Sequence, residues 1–287
     1  MLTARTAATL AFAGVVAVGV SGCVDIAAGE IGAIETTEKR FAVSGTPQVT
    51  LSTFDGRIEV TTWNRPEVLV VIEKHAVDKE EADRMVVSAD QSGDSVKVEV
   101  RQQDGWSHMH FGPRGAYLRV TVPEKAHIDA NTGDGRITVD GVDGDLRAHT
   151  GDGAIHLERV NGAVDAKSGD GSIEVDGTIK KLDVRSGDGR VRVHAQGAGP
   201  AADWSMSTGD GSVVLEVPDG FGAELDASTG DGRVRVSDVA FSGSSDGRHR
   251  RSAQGRIGQG GPRITIRSGD GSISVRRSGE SASRSSW

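Results

Sequence analysis

The sequence predicts an all-β fold, a repetitive β-solenoid resembling a parallel β-helix and closed by an N-terminal β cap. Three observations predict it. A pattern Ser/Thr-Gly-Asp-Gly-x-Ile/Val-x-Val/Leu begins at Thr132, Thr150, Ser168, Ser186, Thr208, Thr229 and Ser268. Its first three intervals are 18 residues each, and a fixed short period marks a repeat architecture. Apolar residues alternate with mostly polar ones after each Gly-Asp-Gly (Ile155/Leu157, Ile173/Val175, Val191/Val193) and before it (Leu146/Ala148, Val164/Ala166, Leu182/Val184). Period two means strands with one buried face.

Elements follow in chain order. Arg5 supplies a short positive start, Ala7 to Val20 form an apolar stretch of signal-peptide length, and Val20-Ser21-Gly22-Cys23 follows. That tetrapeptide resembles the bacterial lipobox, which implies cleavage before Cys23 and a lipid on its thiol. Residues 1–22 are therefore expected to be a lipoprotein signal peptide and 23–40 a flexible tether. Cys23 is the only cysteine, so no internal disulfide can form and stability must come from packing.

Residues 41–125 lack the 18-residue period yet read as β structure, expected to cap the solenoid. Thr53-Phe54-Asp55-Gly56-Arg57-Ile58-Glu59-Val60 is a weaker eighth copy of the motif. Glu67 to Ala76 reads as a buried strand, Val96 to Val100 alternates cleanly, and Tyr117 to Val122 runs up to Pro123. Asp78 to Val86 is the one helical stretch, with Asp78 as N-cap and acids in the first turn.

Residues 126–277 form the repeat domain, and each unit holds two short strands and two turns. A unit buries about four small aliphatics, worth roughly 1.5–3 kcal/mol each. Ordering its backbone costs roughly 1–2 kcal/mol per residue, so one unit cannot fold alone. Stacking units in register lines the aliphatics into ladders along one core. An antiparallel meander of hairpins is the alternative, because Asp-Gly between alternating strands is also a hairpin signal. The last interval, 39 residues, reads as two units with an insertion at 241–261, a Ser/Gly/Arg-rich candidate for a mobile loop. Residues 278–287 read as a disordered tail.

The turn aspartates Asp134, Asp152, Asp170, Asp188, Asp210, Asp231 and Asp270 are expected to be structural, capping turns whose glycines adopt conformations closed to other residues. Calcium motifs with stacked acids repeat every nine residues or add a terminal Glu, and neither feature occurs here. A row of carboxylates spaced under about 5 Å repels itself, so weak cation condensation along that edge is physically reasonable.

Other candidates are weaker. Gly243-Ser244-Ser245-Asp246-Gly247 fits Gly-x-Ser-x-Gly, but a nucleophile elbow needs a helix after the serine, and none is predicted. His108-Met109-His110 beside Trp106 could put two imidazoles on one side of a strand, but lacks a third ligand. Arg248-His249-Arg250-Arg251 reads as a solvated loop, with an anionic ligand as the alternative. The net charge of −8 disfavours a nucleic-acid partner. No catalytic, metal or cofactor site is expected.

Phe54-Asp55-Gly56-Arg57-Ile58-Glu59-Val60-Thr61-Thr62-Trp63-Asn64, the run Leu118-Arg119-Val120-Thr121-Val122-Pro123 leading into the first full repeat, and the serial Gly-Asp-Gly units together resemble the DUF4097 family of adhesin-like β-repeat proteins. The resemblance covers roughly residues 41–277 and implies a solenoid more firmly than an activity. The expected function is a non-catalytic, membrane-anchored lipoprotein of the cell envelope that binds an envelope protein or surface polymer over extended faces. An envelope-stress regulator acting through a membrane partner and a carbohydrate-active enzyme on a β-helix are the alternatives.

Overall fold

The computed structural model describes residues 25–28, 33–103, 115–245 and 251–279. Cys23, Trp106, His108, His110 and residues 248–250 lie outside them. Among the described residues there are 22 strands and one short helix.

Each repeat makes one coil, a strand before Gly-Asp-Gly and a strand after it, on two facing sheets. Coils are named here by their Ser or Thr. Neighbouring coils pair in parallel and in register, so that Leu146 lies beside Val164, Val164 beside Leu182, and Leu182 beside Trp204. On the other sheet Ile137, Ile155, Ile173, Val191 and Val213 run side by side. This parallel pairing fits the solenoid and not the hairpin meander. The inward residues of both sheets are buried and form one continuous core. Trp204 replaces an aliphatic in its ladder and meets Phe221 with ring centroids 5.8 Å apart.

The weak motif at Thr53 is a full coil. Its strands Gln48–Thr53 and Ile58–Trp63 stack directly on those of the Thr132 coil. On its other side lies a coil made by Ser95–Gln102 and Gly115–Pro123, also parallel. The stretch expected as a separate cap thus contributes two coils of the same solenoid. Capping itself is done by antiparallel strands. Met85–Ser92 closes one sheet through the two-residue turn Gly93-Asp94. Glu67–Ala76 closes the other and carries Ala33–Ala42 along its full length.

Residues 33–40, expected in the tether, therefore belong to the folded body, because ten residue pairs join that strand to Glu67–Ala76. The helix is shorter than predicted. It spans Lys79–Asp83, with the Asp78 carboxylate accepting from the Glu81 amide at 2.8 Å, and Met85 and Val86 already belong to the next strand.

The C-terminal end departs most from the sequence reading. Arg263–Ser268 and Ile273–Arg277, last in sequence, lie between the Thr208 coil and the Thr229 coil. The spatial order is Thr208, Ser268, Thr229. The 39-residue interval is thus an excursion out to the terminal coil and back. The expected loop at 241–261 contains a hairpin, Phe241–Ser245 with Ser252–Ile257, which closes one sheet against Ala223–Thr229.

Close stacking explains the repeated glycines. Those of the Gly-Asp-Gly turns are not in the left-handed region, contrary to expectation. What they lack is room: a β-carbon at Gly171 would lie 1.9 Å from the Gly153 carbonyl oxygen. Positive φ is used instead at the second turns, at Gly141, Gly162 and Gly177.

Gly171→Ala should therefore lower stability by about 2–3 kcal/mol, since the stacked backbone must move apart. Gly93→Ala, at φ +59° with open space around it, should cost only about 1–2 kcal/mol for its backbone conformation. Urea midpoints of the two variants check the ranking.

Candidate functional site

The turn edge is the most regular feature of the surface. In each of the seven Gly-Asp-Gly coils the Ser or Thr side chain is buried and its hydroxyl donates to the carbonyl of the second turn glycine in the neighbouring coil. Thr132 donates to Gly56 at 2.9 Å, Thr150 to Gly135 at 2.9 Å, Ser168 to Gly153 at 2.9 Å, and Ser186 to Gly171 at 2.9 Å. The ladder then follows space instead of sequence: Ser268 donates to Gly211 at 3.0 Å and Thr229 to Gly271 at 2.7 Å. Several of these hydroxyls also accept from their own coil, as Ser168 does from the Gly171 amide at 3.0 Å. A hydroxyl is both donor and acceptor, so one side chain closes its own turn and ties it to the next.

The aspartates stand on the outside of this edge. Asp134, Asp152, Asp170, Asp188, Asp210, Asp231 and Asp270 are all exposed. A β-carbon at Gly169 would lie 2.5 Å from the Asp152 carboxylate, and Asp134, Asp170 and Asp188 likewise occupy space over the first glycine of the following turn. Asp231 pairs with Arg251 at 3.2 Å.

On the two outer faces, side chains at equivalent positions form columns, and opposite charges meet across rungs. Arg147 lies 3.2 Å from Asp129 and 3.8 Å from Asp165. Arg119 lies 3.8 Å from Glu59 and 3.2 Å from Glu73. Arg267 meets Asp226 at 2.9 Å. The Arg267 hydrogen bond holds the Asp226 carboxyl below its ordinary range. At Asp165 partial burial raises the pKa, but hydrogen bonds from Lys167 and His149 outweigh it and the net shift is downward.

His156 and His194 stand on the other face. His156 lies 2.7 Å from Glu158 and 3.4 Å from Glu174, and His194 pairs with Asp176. With Arg192 they line a shallow recess of about 340 Å³. His156 and Arg192 hold ordinary outward positions of the repeat, and neither residue by itself marks this grouping. The signal was the 18-residue register, which sets those positions side by side. Among the described residues no group of three or more His, Cys, Asp or Glu is placed to hold a metal.

Ser245, the central serine of Gly243-Ser244-Ser245-Asp246-Gly247, ends the strand Phe241–Ser245, which pairs antiparallel with Ser252–Ile257. The described residues around it contain no strand-to-helix turn of a nucleophile elbow.

With the stacked turns and parallel rungs in place, the profile of the Toastrack DUF4097 family matches residues 48–194 and again 130–276. The chain belongs to this family. The second match extends over the interleaved coils, and both together span the solenoid.

Solved structures resemble the chain at low identity. A candidate adhesin from Bacteroides fragilis is 12% identical over 85% of this chain and 97% of its own, with a TM-score of 0.49. A candidate cell adhesion protein from Clostridium sporogenes is 14% identical over 85% of this chain and 100% of its own, at 0.40. A candidate adhesin from Parabacteroides distasonis is 10% identical over 84% and 96%, at 0.44. At these levels the likeness carries nothing about activity. No curated protein matches the chain.

Ser168→Ala should destabilise this Toastrack protein by about 1–3 kcal/mol, because the Gly153 carbonyl and Gly171 amide lose their partner. Ser168→Thr, which reproduces the side chain of the Thr150 coil, should be near neutral, and thermal melting of both variants tests the ladder. A second expectation concerns acid. Because the Asp165 pKa is lowered in the folded protein, its ionisation favours folding at neutral pH. That contribution is lost as pH falls below the ordinary value of 3.8. Asp165→Asn should be less stable than the parent at pH 7 and show a shallower loss of stability on acidification, measured by denaturant titration across that range.

Proposed function

We propose that this protein is an exported lipoprotein of the bacterial cell envelope, held on a membrane by a lipid on Cys23. Its solenoid acts as a rigid, non-catalytic scaffold that binds an envelope protein or surface polymer by contacts repeated along its faces.

The observation that carries the scaffold reading is the register of the rungs. Outward side chains one period apart stand side by side, so the columns Asp129, Arg147, Asp165 and His156, Glu174, Arg192 present ordered charge at strand spacing, about 4.8 Å. A ligand with its own repeat can engage several rungs together, and linked weak contacts raise overall affinity steeply. Catalysis asks for one constellation with differently tuned groups. The described surface instead offers paired charges whose partners neutralise one another.

The anchor reading rests on the sequence before the folded body. A single acyl chain gives marginal membrane binding, whereas two or three chains hold a protein stably, at about 0.8 kcal/mol per buried methylene.

Cells expressing the full chain and fed a clickable palmitate analogue should label it, and Cys23→Ala should remove the label. The parent should partition into the detergent phase and the variant into the aqueous phase. A parent that stays unlabelled and aqueous overturns the anchor. Crosslinking in intact cells should give discrete adducts that are lost when His156, Glu174 and Arg192 are replaced together. Adducts unaffected by that change would place the binding elsewhere.

A further inference from the structure

At three of the four sheet ends among the described residues antiparallel strands follow the last parallel coil strand, and the outermost of them, Met85–Ser92, Asp25–Ala28 and Phe241–Ser245, each have one strand partner. Met85–Ser92 and Glu67–Ala76 are the first such strands at one end of the solenoid, and Ser252–Ile257 at the other. The fourth end is Val234–Ser237, whose strand pairing is with Ile273–Arg277 alone. The Ile273 amide donates to the Arg233 carbonyl at 3.0 Å. In a parallel ladder alternate residues bond to alternate sides. Backbone groups of residues 233, 235 and 237 therefore turn inward, and those of Val234 and Val236 face the open side.

Side chains at this edge are incomplete in the same sense. Several outward arginines are matched by an acid on the next rung, as Arg147 is by Asp129 and Asp165, and Arg276 by Glu216; among the described residues Arg190 and Arg192 are not. Arg235 has Ser274 beside it on the inner rung, and among the described residues neither Arg233 nor Arg235 has an ion-pair partner. Both line a recess of about 640 Å³ together with Arg251, Asp231 and Asp270. Arg251 is paired with Asp231, which leaves Arg233 and Arg235 as the guanidiniums beside the outward backbone donors and acceptors.

We infer that the Val234–Ser237 edge is a docking site for an extended acidic peptide segment of a partner protein, which adds as one more strand and sets Asp or Glu against Arg233 and Arg235. Backbone hydrogen bonds supply the pairing and the arginines select the sequence. A second copy of the same edge fits poorly, because a two-fold contact would bring Arg235 against Arg235. The site is independent of the lipid anchor and of the outer-face columns, so its test stands apart from theirs.

Fluorescence anisotropy with the soluble chain from residue 24 onward and a labelled, capped Val-Glu-Val-Glu-Val-Glu peptide tests it. The Val-Lys counterpart is the control. Saturable binding is expected for the acidic peptide, at least tenfold tighter than for the lysine one. Arg235→Glu should reverse that preference. Val236→Pro removes the outward amide at a position where an edge strand tolerates proline, and should abolish binding while leaving the melting curve cooperative. Equal binding of both peptides, or unaltered binding to a folded Val236→Pro variant, overturns the inference. So does sedimentation showing that the parent self-associates through this edge. If Val236→Pro does not fold, the charge reversal at Arg235 decides alone.

Discussion

One hydroxyl in each Gly-Asp-Gly coil carries the architecture. A buried Ser or Thr that donates to a glycine carbonyl on the next coil fixes how close two turns lie and in what register. The other regularities follow from that spacing. Turn glycines are required because neighbouring backbones leave no room for a β-carbon, as at Gly153 and Gly171. Aliphatic ladders align because the strands on both sides of the turn inherit its register. Outward charges form columns for the same reason.

Much of this was readable in the sequence. The 18-residue period, the alternation around each Gly-Asp-Gly and the weak copy at Thr53 specify strands, inward faces and parallel stacking. The roles of the glycines were not readable, because crowding by a stacked neighbour and a need for positive φ both select glycine. Only geometry separates Gly171, which is crowded without a positive φ, from Gly93, which has φ +59° and open space, and from Gly177, which is both crowded and at φ +149°. Coil order was hidden for a deeper reason. Every Gly-Asp-Gly coil carries the same hydroxyl and the same glycines, so local sequence cannot say which of them is whose neighbour. The Ser268 coil bonds to Gly211 with the group that Ser186 uses on Gly171.

The strand Ala33–Ala42 was hidden too, because residues such as Glu35, Thr36, Thr37, Glu38 and Lys39 resemble a linker in composition. Their strand character is imposed by the long antiparallel contact with Glu67–Ala76. The grouping of His156, Glu174 and Arg192 illustrates a similar gap between pattern and place. Each residue is unremarkable on its own rung. Their meaning as a surface comes from adjacency, which the period implies but composition does not display.

Interleaving of the last coil also sets how the molecule responds to pulling. A solenoid with coils in sequence order would unwind from its C-terminal tip, one rung after another. Here the chain leaves the body from an internal rung held on both sides, by Val213–Val217 and by Val234–Ser237. Tension on that tail must break two ladders together in shear, so the end of the polypeptide is a clasp and not a loose thread.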